Sequence, residues 1–161
     1  MNTMNPSFTD GDGSQLRRHV EQLVDHDEIA TLVHRLGACL DEGRFEDMRS
    51  LFVENATART PGGLAEGIDA MIAQASRTHS PDEGIQHLIS DELIAVDGDR
   101  ASVRANLIVT FAPRTAAPAR SSQGEIYHFD AQRTPHGWRL ARVEAIPVWT
   151  AGSPIGSRRP E

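Results

Sequence analysis

Between residues 101 and 111 the chain repeats with a period of two. Val103, Ala105, Leu107, Val109 and Phe111 are apolar, and Arg104, Asn106 and Thr110 fall between them, with Ile108 the one apolar member of the second row. Successive side chains of a strand point to opposite faces, so this pattern demands a strand with one dry face. A second strand-like run, 85–96, precedes it across Asp97-Gly98-Asp99, a turn sequence that joins antiparallel strands. A further pair, 125–133 and 137–148, flanks Thr134-Pro135-His136-Gly137. A sheet with one apolar face must be covered, and the only candidates for the cover lie upstream.

There the periodicity changes to that of a helix. Ser14 can cap a first helix with Leu16, Val20, Leu23 and Val24 at helical spacing. A second helix, 27–42, carries a stripe of Ile29, Leu32, Val33, Leu36 and Leu40 and stops at Gly43. A short third helix, 46–52, turns Met48, Leu51 and Phe52 inward. A strand at 54–59, a turn at Pro61-Gly62-Gly63, a fourth helix at 67–78 and a loop at 80–84 follow. Residues 112–123 have no periodicity and read as a mobile hairpin loop or lid. The lead 1–13 and the tail 151–161 read as unstructured, which leaves a single domain at 14–150. Helices first and strands afterwards indicate an α+β fold, with the N-terminal helices packed on one face of a curved antiparallel sheet.

Composition narrows the function. The 161 residues suit one domain, and a net charge of −7 without a basic stripe argues against nucleic acid as a partner. No apolar run is long enough to span a bilayer, and the first residues do not read as a signal peptide, so no membrane partner is expected. One cysteine, Cys39, excludes an internal disulfide and suits a cytoplasmic setting. The seven histidines show no metal-ligand spacing, no glycine-rich phosphate loop is followed by Lys, and no Gly-x-Ser-x-Gly elbow occurs. Neither a metal nor a cofactor is therefore expected.

Two residues carry the candidate chemistry. Asp41 closes the apolar stripe of the second helix, and His87 lies among Ile85, Leu88 and Ile89 on a strand. A carboxylate and an imidazole that meet in a dry pocket can move protons at neutral pH without a cofactor. Tyr127 shares a strand face with Glu125 and Phe129, where its hydroxyl can donate to a substrate oxygen. Glu125, if it faces inward, is a second carboxylate. Leu36, Leu40, Phe52, Met71, Val103, Leu107 and Phe129 are the expected apolar walls, and Trp149 is the better pocket candidate of the two tryptophans. Arg104 and Asn106 are assigned to the outer sheet face.

The ordered set Leu40-Asp41-Glu42-Gly43-Arg44-Phe45, Leu51-Phe52, Glu66-Gly67-Ile68, Gln86-His87-Leu88-Ile89, Asp97-Gly98-Asp99-Arg100-Ala101, Gly124-Glu125-Ile126-Tyr127 and Gly137-Trp138-Arg139-Leu140 resembles the SnoaL-like branch of the nuclear transport factor 2-like superfamily. The resemblance covers about residues 14–150. It implies a cone-shaped barrel of cystatin-like type with a deep apolar pocket, and a homodimer through the outer sheet face. Members include polyketide cyclases, scytalone dehydratase, bile-acid 7α-dehydratase, ketosteroid isomerase and limonene epoxide hydrolase, so fold alone does not choose the chemistry. Asp41 and His87 match the catalytic aspartate and histidine positions of the dehydratase-like members, and Tyr127 matches a common tyrosine. Leu36 stands where many members have a tyrosine, and Ala105 lies near the place of a second histidine in scytalone dehydratase.

The resulting expectation is a cofactor-independent enzyme of lyase or isomerase type: a cyclase, dehydratase or isomerase. Its substrate would be a small hydrophobic oxygenated molecule, such as a polyketide or terpenoid intermediate. Two alternatives stand beside it. One is a non-catalytic ligand-binding or assembly module of the same fold. The other is epoxide opening by water, which needs Arg59 or Arg104 to point inward.

Overall fold

The computed structural model describes residues 10–77, 83–114 and 121–152. Helix α1 (Asp10–Glu42) is followed by a 3-10 turn (Phe45–Ser50), strands β1 (Phe52–Thr60) and β2 (Gly63–Glu66), helix α2 (Ile68–Arg77), and strands β3 (Glu83–Asp97), β4 (Arg100–Pro113), β5 (Ser121–Thr134) and β6 (Gly137–Gly152). The six strands form one curved sheet in the order β2-β1-β6-β5-β4-β3, which does not close on itself. The α+β architecture is the expected one. All neighbouring pairs are antiparallel except β1 with β6, which run parallel. That pairing corrects the expectation of a purely antiparallel sheet: β1 leaves the helical layer in the same direction as the last strand and fills its free side.

The two helices expected between Ser14 and Glu42 are one. No Gly or Pro interrupts residues 14–36, so nothing breaks the backbone ladder where the hydrophobic stripe pauses. The helix already begins at Asp10, within the segment expected to lack structure, while residues 1–9 lie outside the described residues. Only the second half packs: Ile29, Leu32, Val33, Leu36 and Cys39 are buried, whereas Leu16, Val20, Leu23 and Val24 are exposed. Where the halves meet, Asp25 accepts from Trp138 Nε1 (3.0 Å) and from Arg133 Nη2 (2.7 Å), tying α1 to the β5–β6 hairpin. Arg133 also lies 4.5 Å over the Trp138 ring.

α1 ends in a Schellman motif. Gly43 takes a φ of +68°, its N–H bonds Leu40 O (3.3 Å), and the Arg44 N–H bonds Cys39 O (2.9 Å). This stop fixes Asp41 in the last helical turn, facing the sheet. The alternation of β4 is realised: Val103, Ala105, Leu107, Val109 and Phe111 are buried on the concave face. Strands β4 and β5 claim residues 112–113 and 121–123 of the expected loop, and 115–120 lie outside the described residues. At the other ends of the sheet, Gly63, expected in the turn, opens the strand Gly63–Glu66, Ala151 and Gly152 close β6, and 153–161 lie outside the described residues. No helix is long and apolar enough to cross a membrane among the described residues.

Candidate active site

Helix α1 runs along β3 and touches it at three successive places. His34 Nε2 lies 2.9 Å from Glu92 Oε1, Gly37 faces Ile89, and Asp41 reaches His87. Positions 34, 37 and 41 share one helix face. Gly37 sets the closeness: a methyl group there would stand 3.3 Å from Ile89 Cδ1 and 3.9 Å from His87 Cβ. The sequence reading passed over this glycine. Its signal was available, since a glycine inside a helix costs about 1 kcal/mol against alanine and implies a packing reason.

Asp41 Oδ1 accepts twice from His87, from the backbone N–H (2.8 Å) and from the ring Nδ1 (2.7 Å). A carboxylate is an acceptor only, so opposite it the ring contributes Nδ1–H. That choice of tautomer leaves Nε2 with its lone pair free. The pair is largely shielded, with side-chain exposures of 11% for His87 and 25% for Asp41.

His87 lines a cavity of about 770 Å³ between the helices and the concave sheet. That volume suits a small organic ligand. Of the expected wall residues, Leu36, Leu40, Phe52, Met71 and Glu125 line it, joined by Met48, Ile85, Val109, Phe111 and Val143. Gln74 and Gln123 supply amides, and Arg77 and Glu83 bring charge. Val103, Leu107, Phe129 and Tyr127 are buried in the packed core and are not part of this wall. Tyr127 meets Phe129 edge to face at 5.3 Å. Its hydroxyl proton is held tightly: burial, then the charges of Glu125 and Asp41, push its pKa upward. Desolvation also raises the Glu125 carboxyl above its ordinary value.

Trp149 is not a pocket residue. It pairs with Gly124 across β5–β6, and its indole covers the place where a Gly124 side chain would stand. Gly124 pairs in turn with Ile108 on the outer row of β4, so Trp149 belongs to the convex face, where it is 44% exposed. Arg104 lies on that row too, paired with His128, and Arg59 is an exposed side chain 3.8 Å from Glu144 Oε1. Neither guanidinium lines the cavity. Among the described residues, no three His, Cys, Asp or Glu side chains gather at one point where a metal could sit.

Residues 21–144 match the sequence profile of the SnoaL-like domain. The chain belongs to the SnoaL-like family. This SnoaL-like protein is 29% identical over 128 residues to the uncharacterised protein Rv2910c of Mycobacterium tuberculosis, covering 76% of the chain and 85% of the relative. Among solved structures it is similar to an NTF2-like protein with a cystatin-like fold from Novosphingobium aromaticivorans, with a TM-score of 0.74 and 26% identity over 89% of this chain and 91% of the other. A putative scytalone dehydratase from the same organism superposes with a TM-score of 0.69 at 23% identity, over 86% of this chain and 97% of the other. The NTF2-like fold of this SnoaL-like chain is thereby established.

Proposed function

We propose that this protein is a cofactor-independent acid–base enzyme that withdraws a proton from carbon in a small, apolar, oxygenated metabolite. Cyclases, dehydratases and isomerases share that step. One observation carries the reading: His87 lines an apolar cavity while Asp41 accepts a hydrogen bond from its ring Nδ1, so Nε2 is the basic atom on offer. Asp41 orients the ring and stabilises the imidazolium that forms when Nε2 accepts a proton. The apolar wall excludes water and strengthens each charge interaction within it. Tyr127 stays neutral in the packed core rather than touching substrate. Cytoplasmic residence fits the lone thiol, Cys39.

The test is proton exchange at carbon. In D₂O the protein should catalyse deuterium incorporation beside the carbonyl of small aryl ketones, followed by NMR. His87→Ala should lose it by about 10²-fold or more. Equal exchange in both proteins would reject the base and favour a binding module. Epoxide opening gains nothing from Arg59 or Arg104, which lie away from the cavity.

We also infer a homodimer through the convex face. Leu88, Ile108, Ile146 and Trp149 form an exposed apolar surface across β3–β6. Such surfaces mark association sites. Sedimentation equilibrium of Ile108→Arg against the wild type tests it: the variant should be monomeric, and a monomeric wild type removes the inference.

A further inference from the structure

Glu125 is a buried acid with no cation paired to it among the described residues. It is 7% exposed, and desolvation is the sole influence on its carboxyl, with no hydrogen bond or ion pair reaching it from the described residues. A carboxylate in such a place is costly unless paired, whereas a neutral carboxyl is tolerated and becomes a proton donor. Strand register puts it on the concave face with the base, two strands away. His87 pairs with Val109 and Val109 with Gln123, and Glu125 lies two residues further along β5 on the same face. Two strand spacings across and two residues along separate the His87 and Glu125 Cα atoms by roughly 12 Å, with both side chains lining the space between.

The other titratable groups do not neutralise it. His87 faces it from β3 with Asp41 of α1 behind, Glu83 comes from the start of β3, and Tyr127 neighbours it along β5. Among the described residues, Arg77 of α2 is the one Arg or Lys in the lining, and it is exposed. Among the described residues, an anionic substrate would therefore meet the Glu125 carboxyl and no buried Arg or Lys.

We propose that Glu125 is the proton donor of this site, facing His87 across the cavity and protonating a departing hydroxyl, so that the substrate is a neutral β-hydroxy carbonyl compound. This rests on the reading of His87 as the base. His87 Nε2 takes the proton from the carbon beside the carbonyl, and the C–H electron pair becomes the new carbon–carbon double bond. The C–O bond breaks with its pair going to oxygen, the Glu125 proton joins that oxygen, and water leaves. The imidazolium then returns its proton, by way of solvent, to the Glu125 carboxylate. The sum is loss of one water with both residues restored.

Two measurements test it. Infrared difference spectra of wild type minus Glu125→Gln at neutral pH should contain a protonated-carboxyl band. Its absence overturns the proposal. The second uses the aldol adduct of benzaldehyde with acetone and its β-chloro analogue, which give the same ultraviolet-absorbing enone. Chloride leaves without needing a proton. Glu125→Gln should slow water loss by about 10²-fold or more while slowing chloride loss by less than about tenfold. His87→Ala should abolish both. Equal effects of Glu125→Gln on the two compounds, or a wild type inert to the aldol, overturn the acid and its substrate class. Full activity of His87→Ala on both compounds would instead indict the base.

Discussion

One oxygen of Asp41 holds His87 at two points, 2.8 Å from its backbone nitrogen and 2.7 Å from Nδ1 of its ring. The same contact thus fixes the strand and the tautomer. Asp41→Asn keeps an oxygen for the amide and loses the charge that steadies an imidazolium. Turnover in the ketone-exchange assay should fall by about 10²-fold, with Tm shifted by no more than a few degrees. Asp41→Ala abandons the amide as well and should cost a further 1–3 kcal/mol or so in urea unfolding.

The buried acid gives stability a slope with pH. The folded value of Glu125 lies above its ordinary value of about 4.5, so the unfolded chain ionises first as pH rises. Stability from this group is complete below the ordinary value and is lost as pH climbs toward the folded one. Urea unfolding between pH 4 and pH 8 should therefore show the wild type losing more stability than Glu125→Gln. Parallel curves would mean that Glu125 ionises as it does in the unfolded chain.

The opposite sign applies to Asp25. The Arg133 hydrogen bond is the largest influence and lowers its pKa, with Trp138 and the Arg133 charge adding to it against a desolvation that raises it. Its contribution is present above the ordinary carboxylate value and disappears as pH falls through the lowered one. Arg133→Ala should drop Tm by about 2–4 °C at neutral pH, on the order of 1 kcal/mol, and the deficit should shrink on acidification. A deficit independent of pH would leave only the packing of Arg133 on Trp138.

Gly124 has no room for a side chain. A methyl group would lie 2.1 Å from Trp149 Nε1 and 2.2 Å from Cε2, so the rigid indole must move. Gly124→Ala should cost about 1–3 kcal/mol by differential scanning calorimetry and shift Trp149 fluorescence. Gly124→Ala with Trp149→Ala should recover part of that loss.

Much of the sheet was legible because one face is dry: β4 alternates without exception on its inner row, and the turns around Gly98 and Gly137 sit at positive φ as their sequences require. What failed had no local signature. The stripe of α1 weakens near Asp25, yet a helix continues through polar residues when no Pro or Gly stops it. The face of Trp149, expected in the pocket, is decided by the irregular register between Gly124 and Glu125. The parallel partnership of β1 and β6 joins residues about 85 apart in sequence, beyond the reach of any periodicity. The meeting of Asp41 with His87 needed the close approach at Gly37, a residue that says nothing until the neighbouring strand is known.

The position of β6 has a consequence for biosynthesis. The strand made last lies between β1 and β5, and it alone joins the early half of the sheet to the late half. A nascent chain halted before residue 137 holds two sheet fragments that share no backbone ladder and meet through helix α1, each with a raw hydrogen-bonding margin. Until translation has delivered β6, the sheet cannot form as one piece, and its exposed margins are open to wrong pairing.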